Sequence, residues 1–138
     1  MTNTPYTGGC LCGAVTYEVT AEPMMTGICH CKNCQRQAGS AFSILTAVPK
    51  SAVTVTGTLT EFEDTADSGN PVFRRFCGRC GSPLFSLVPS APDMIFIKAG
   101  TLDDTSSLEP QVHFWCDSAQ PWVPIDENLP QTPKNPPS

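Results

Sequence analysis

Eight cysteines dominate the chemistry of this 138-residue sequence. Seven of them fall into three tight clusters, Cys10-Leu-Cys12, Cys29-His-Cys31-Lys-Asn-Cys34 and Cys77-Gly-Arg-Cys80, while Cys116 stands apart. Thiolates at such spacings are typical zinc ligands. Because the N-terminal residues show no export signal, we expect a cytoplasmic location, where stable disulfides are rare. The clusters therefore predict two bound zinc ions, in preference to disulfides, an iron–sulfur centre or free thiols.

The first and third clusters together supply four thiols, enough for one closed zinc site. Cys10 and Cys12 are two residues apart, so in an extended chain their side chains point to the same face. Cys77 and Cys80 project from one tight turn. A site with four protein ligands keeps no position open and is structural. Since the two pairs are distant in sequence, the ion would link the start of the domain to its middle.

The middle cluster supplies three thiols and leaves the fourth position of a tetrahedral ion open. Three protein ligands with an exchangeable fourth are the pattern of catalytic zinc. His30, His113 and Cys116 are the candidates for a fourth protein ligand. His30 lies between Cys29 and Cys31 and would point away from both sulfurs, and Cys116 is expected to be a small core residue. If a protein group does complete this site, both ions serve folding alone.

The rest of the sequence predicts a mainly β protein with very little helix. Apolar and polar residues alternate in short runs rich in β-branched and aromatic side chains, as in strands of small antiparallel sheets. These runs are 15–19, 41–48, 53–56, 58–62, 72–76, 84–88, 94–98 and 112–115. One or two helical turns are expected over 33–38, ended by Gly39.

The domain organisation follows from where this alternation stops. We expect one folded domain over residues 1–125 and a proline-rich disordered tail over 126–138. Residues 63–70 form a predicted polar hairpin loop.

Charge and hydropathy exclude two classes of partner. Lys plus Arg number 8 and Asp plus Glu 13, giving a net charge of −5. Nucleic-acid binding and polybasic membrane attachment both need clustered positive charge, so we expect neither partner. No stretch approaches the roughly 18 apolar residues of a membrane span.

At the cysteine clusters the sequence resembles the family of glutathione-dependent formaldehyde-activating enzymes, which also includes the centromere protein V domain. The matching segments include Gly9-Cys-Leu-Cys-Gly-Ala-Val-Thr-Tyr17, Cys29-His-Cys-Lys-Asn-Cys-Gln-Arg-Gln-Ala-Gly-Ser40 and Arg75-Phe-Cys-Gly-Arg-Cys-Gly-Ser82. With shorter matches they run in order from about Gly8 to Val123. The resemblance implies a β-tent fold, in which small antiparallel sheets lean together around zinc.

The resemblance also implies an activity and a division of the ligands. It assigns the structural zinc to Cys10, Cys12, Cys77 and Cys80, and the catalytic zinc to Cys29, Cys31 and Cys34. The implied enzyme is a zinc-dependent carbon–sulfur lyase that joins a thiol such as glutathione to a small aldehyde, giving S-hydroxymethylglutathione. A zinc-stabilised binding module without catalytic activity is the alternative.

Positive charge is concentrated beside the cysteines. Five of the eight basic residues flank the clusters, namely Lys32, Arg36, Arg74, Arg75 and Arg79. Glutathione carries two carboxylates that arginine can bind in a bidentate manner, and Arg36 is our candidate for that contact. The equal alternative is that these residues compensate the negative charge of the zinc–thiolate centres.

Overall fold

The computed structural model describes residues 5–66 and 69–134, and within these ranges the chain is mainly β, as predicted. A single seven-residue α-helix, α1 (Lys32–Ala38), is accompanied by three short 3-10 turns. The strands are β1 (Tyr6–Gly9), β2 (Thr16–Val19), β3 (Met25–Cys29), β4 (Ser43–Pro49), β5 (Val53–Thr56), β6 (Leu59–Thr65), β7 (Pro71–Cys77), β8 (Pro83–Leu87), β9 (Met94–Lys98) and β10 (Val112–Phe114). In the described part no helix is long and apolar enough to cross a membrane.

Two sheets make up the fold. The small sheet has the strand order β1-β2-β5, and the large sheet has the order β10-β3-β4-β9-β8-β7-β6. Every pair is antiparallel except one, since β10 runs parallel to β3. The predicted loop at 63–70 is shorter than expected because β6 continues to Thr65, which pairs with Pro71 of β7. Residues 67–68 of that loop lie outside the described ranges.

The core lies where the small sheet packs on the large one. Tyr17 of β2 meets Phe85 of β8 with ring centroids 5.1 Å apart and the rings edge to face. The Tyr17 hydroxyl is hydrogen-bonded to the Thr101 hydroxyl at 2.7 Å. Val15, Leu84 and Phe85 are fully buried in the same apolar cluster. Burial of this apolar face holds the two sheets together.

Residues 130–134, near the C-terminus, pair with the edge of the large sheet. Gln131 bridges His113 of β10 in the parallel direction. The carbonyl of Pro130 accepts a hydrogen bond from His113 N–H at 2.9 Å, and Thr132 N–H donates to the His113 carbonyl at 2.9 Å. Proline lacks an N–H but keeps its carbonyl, so a proline-rich segment can still pair as an edge. Residues 130–134 are thus paired in the structure, residues 135–138 lie outside the described ranges, and the division into a domain over 1–125 and a tail over 126–138 stays a prediction.

Gly57 provides a stability test of the junction between β5 and β6. Its backbone is left-handed, with φ 103°, and a Cβ atom there would overlap the backbone of Ala14. We expect Gly57→Ala to lower the free energy of unfolding by about 3 kcal/mol, measured by urea denaturation. Gly39→Ala is the matched control, because φ is 64° but nothing lies within 4 Å of a Cβ there. Gly39→Ala should lower the free energy of unfolding by about 1 kcal/mol. Equal losses in the two variants would show that the Cβ at position 57 does not overlap the Ala14 backbone.

Candidate functional site

Four of the predicted zinc ligands converge at one junction between the sheets. Cys10 directly follows β1, Cys12 lies in the turn before β2, Cys77 ends β7 and Cys80 lies in the turn before β8. Their four sulfurs all lie within 4.8 Å of one another. All eight cysteines fall within the described ranges, and none forms a disulfide. The donor set and the number of thiols fit a closed zinc site.

Ser82 connects the two halves of this four-cysteine group, and its part was not predicted from the sequence. Its hydroxyl accepts the N–H of Leu11 at 3.0 Å and lies 3.2 Å from the Cys80 sulfur. That hydrogen bond, together with backbone hydrogen bonds from Ser82 and Cys12, lowers the pKa of Cys80 to about 5. Ser82 therefore favours the thiolate that a metal requires and ties the β1–β2 turn to the β7–β8 turn.

The other three cysteines come together where β3 passes into α1. Cys29 is the last residue of β3, and Cys31 is the N-cap of α1. The Cys31 sulfur accepts the N–H of Cys34 at 3.1 Å, and the Cys34 and Cys29 sulfurs are 3.5 Å apart. Cys34 is the third residue of the helix after the N-cap Cys31, so the hydrogen bond that caps the helix also brings these two thiols together. All three are buried, with sulfurs within 4.8 Å of one another.

None of the three candidate fourth ligands joins this three-cysteine group in the described structure. The His30 ring turns away, as expected, and its Nε2 lies 2.9 Å from Nδ1 of His113 in a buried stacked pair. The Cys116 sulfur instead donates to the His113 carbonyl, at 3.7 Å. Three thiols without a fourth protein donor fit a zinc ion that keeps one exchangeable position.

Two buried cations face the three-cysteine group. Lys98, at the end of β9, is 6% exposed, and its Nζ donates to the Ser43 hydroxyl at 2.7 Å. Arg74 of β7 is also buried and pairs with Asp64, with its Nε 2.9 Å from the carboxylate. Among the described residues no carboxylate pairs with Lys98, so Asp64, at Arg74, is the one carboxylate set against these two cations.

The cations and the sulfurs together set the charge of the group. Hydrogen bonding with Cys29 and Cys31 lowers the pKa of Cys34, and the charges of Lys98 and Arg74 lower it further. The reciprocal hydrogen bonds and burial raise the pKa of Cys29. One thiolate is therefore favoured at Cys34, and full deprotonation of all three needs a bound cation.

A cleft of about 380 Å³ opens beside the outer face of α1. Lys32 and Arg36 line it, together with the exposed ring of Trp122. The other flanking basic residues lie elsewhere, since Arg74 faces Cys34 and Arg75 pairs with Glu61 at 3.0 Å. Of the five, Arg36 and Lys32 are thus the two that present positive charge to a cleft next to the helix that carries Cys34.

The profile of the glutathione-dependent formaldehyde-activating enzyme family matches residues 5–118. The chain belongs to this family. The matched range contains all seven clustered cysteines, α1 and every strand of both sheets.

Individual relatives are more distant. An uncharacterised lyase of Schizosaccharomyces pombe is 28% identical over 96 residues, which are 68% of this chain and 66% of that protein. A protein of Emericella nidulans, provisionally named a glutathione-dependent formaldehyde-activating enzyme, is 29% identical over 79 residues, or 57% of this chain and 40% of that protein. The chain thus spans less than two thirds of either curated relative.

A solved structure shares the fold. The crystal structure of a Rhodobacter sphaeroides protein from a structural genomics programme superposes with a TM-score of 0.58 at 22% identity. The superposition covers 91% of this chain and 99% of the other.

Lys98→Met tests whether the buried ammonium destabilises the fold. Burial lowers the pKa of Lys98 from 10.5 to about 8. Between these values the unfolded chain binds more protons, so the wild-type free energy of unfolding should rise with pH there, and below pH 8 the full cost remains. With no metal at the three-cysteine group, whose charge Lys98 would otherwise balance, we expect Lys98→Met to be the more stable protein at pH 7, by up to about 3 kcal/mol, with the difference shrinking towards pH 10. Urea denaturation at pH 7 and pH 10 measures the difference in free energy of unfolding between the two proteins. A difference that does not change with pH would contradict the prediction.

Proposed function

We propose that the chain is a zinc-dependent carbon–sulfur lyase that joins a thiol such as glutathione to a small aldehyde such as formaldehyde. The observation that carries the proposal is the group formed by Cys29, Cys31 and Cys34, three buried thiols with no fourth donor among the described residues. Membership of the family supports the substrates, and the cationic cleft beside α1 supports an anionic thiol. A cytoplasmic location fits a reaction of reduced thiols.

The cysteines would hold two zinc ions of different character. Cys10, Cys12, Cys77 and Cys80 would enclose the structural ion, and Cys29, Cys31 and Cys34 would hold the catalytic one. When bound at the three-cysteine group, zinc would keep a coordinating thiol in its nucleophilic thiolate form.

The chain's own residues bind and orient the substrates. Arg36 and Lys32 bind the carboxylates of the thiol substrate from the cleft. Lys98 and Arg74 offset the negative charge that builds up around Cys34. In the reaction the thiol sulfur bonds to the aldehyde carbon, the carbonyl π pair moves to oxygen, and that oxygen takes up a proton in place of the one the thiol released. The product is the S-hydroxymethyl thioether, and the reverse reaction breaks the same carbon–sulfur bond.

Metal analysis of single cysteine variants tests the division between the two sites. We expect two zinc ions per chain in the wild type. Cys31→Ser should lose one ion and keep the fold, because the sheets do not depend on its group. Cys80→Ser should lose cooperative folding, because it breaks the link between β1 and β7. Circular dichroism and zinc content measure both outcomes, and equal unfolding of the two variants would show that the division is wrong.

Arg36→Ala tests how the thiol substrate is bound. With formaldehyde as co-substrate, KM for glutathione should rise about tenfold, because a charge-assisted hydrogen bond to a carboxylate is lost, while kcat changes little. KM for 2-mercaptoethanol, which has no carboxylate, should not change.

Arg79→Ala is the matched control, since Arg79 is exposed beside the four-cysteine group. An equal rise in KM for both thiols would contradict carboxylate binding by Arg36. A wild-type protein with two zinc ions and no turnover of any thiol and aldehyde pair would favour the binding module.

A further inference from the structure

Trp115 has a backbone conformation that its own side chain disfavours. It is the only non-glycine residue in the described ranges with positive φ, at φ 57° and ψ 42°. A bulky residue meets a steric penalty there, and such a conformation persists only where the surroundings impose it.

The effect of this backbone turn is to bring Trp115 against the three-cysteine group. Trp115 is 9% exposed and packs in one apolar cluster with Cys29, Cys31 and Cys34, flanked by Phe114. The four-cysteine group packs instead against the core between the two sheets. The tryptophan therefore borders the proposed catalytic thiols alone.

The neighbours of Trp115 are fixed from two sides. On one side the Phe114 carbonyl accepts the N–H of His30 at 2.9 Å, which ties β10 to the end of β3. On the other side runs the segment 130–134, which we call the C-terminal strap. Three backbone N–H groups at and after the turn donate to strap carbonyls: Trp115 to Lys134 at 3.2 Å, Cys116 to Thr132 at 3.0 Å and Asp117 to Pro133 at 3.2 Å.

We propose that Trp115 is a positioning residue that forms a wall of the three-cysteine site, and that the C-terminal strap holds it in its strained conformation. The wall limits the size of the molecules that can reach Cys29, Cys31 and Cys34, and how closely they can approach. The strap lies beyond the residues 5–118 that the family profile matches. The inference deepens the proposed function, since the substrate thiol would approach the same three cysteines, but its test needs no turnover.

Removal of the strap is the first test. A chain ending at Leu129 is compared with a matched control ending at Lys134, and the alkylation rate of each cysteine by iodoacetamide is followed by peptide mass spectrometry. In the shorter chain we expect Cys29, Cys31 and Cys34 to react about tenfold faster. Without the strap Trp115 can leave its unfavourable left-handed conformation, and the cysteines are then uncovered. The four-cysteine group is the internal control, and its alkylation rates should not change. In the chain ending at Lys134 all seven clustered cysteines should react at the rates of the full-length chain. Unchanged rates, or equal acceleration of all seven cysteines, would overturn the proposal.

Substitution of Trp115 tests the wall in the full-length chain, where no residue of the strap is lost. Trp115→Gly relieves the strain and removes the indole, so a bulky maleimide should gain more in rate at Cys29, Cys31 and Cys34 than iodoacetamide does. Trp115→Phe keeps an aromatic ring and should stay close to the wild type. If Trp115→Gly reacts like the wild type, or both reagents gain equally, the wall does not exist. These rates would hold even if no lyase activity were found, so the two proposals can fail separately.

Discussion

The fold depends on bringing together sulfurs that are far apart in the chain. Cys12 and Cys77 are 65 residues apart in sequence, yet their sulfurs are 3.7 Å apart. They meet because β2 packs on β8 through Tyr17 and Phe85, while β7 ends at the same junction. Four thiols at such distances cannot all ionise without a cation between them. A metal ion held by these four thiols would therefore be coupled to the docking of the two sheets.

What could be predicted from the sequence is what depends on local spacing. The cysteine groups, the helix ended by Gly39 and strands such as β5 all follow from residues close together in the chain. Strand β3 was missed because Gly27 weakens its pattern, and that glycine is needed because a Cβ there would lie 2.7 Å from the Phe114 ring. The run 112–115 predicts β10, but its parallel pairing with β3 and the C-terminal strap were missed, since their partners are remote in sequence.

The electrostatics of the three-cysteine group depend on strand pairing rather than on sequence neighbours. Lys98 reaches the group because β9 pairs with β4, which places Ser43 opposite Cys29 and within reach of the Lys98 ammonium. Arg75 lies two residues from Cys77 but is engaged with Glu61. The five basic residues that flank the cysteines in sequence therefore have different roles in space, and Lys98, one of the two buried cations beside Cys34, was not among them.

The two cysteine sites differ in the charge they would carry with zinc bound. With zinc bound as proposed, four thiolates carry a net charge of −2, and this group has solvent and the Ser82 hydroxyl to stabilise it. Three thiolates with zinc carry −1, which Lys98 balances from its buried position. A neutral, enclosed centre can accept one more anion, the thiolate of the substrate, provided that the carboxylates of that substrate are bound elsewhere. Arg36 and Lys32 occupy that position in the cleft, so the placement of charge around α1 matches an anionic thiol better than a neutral one.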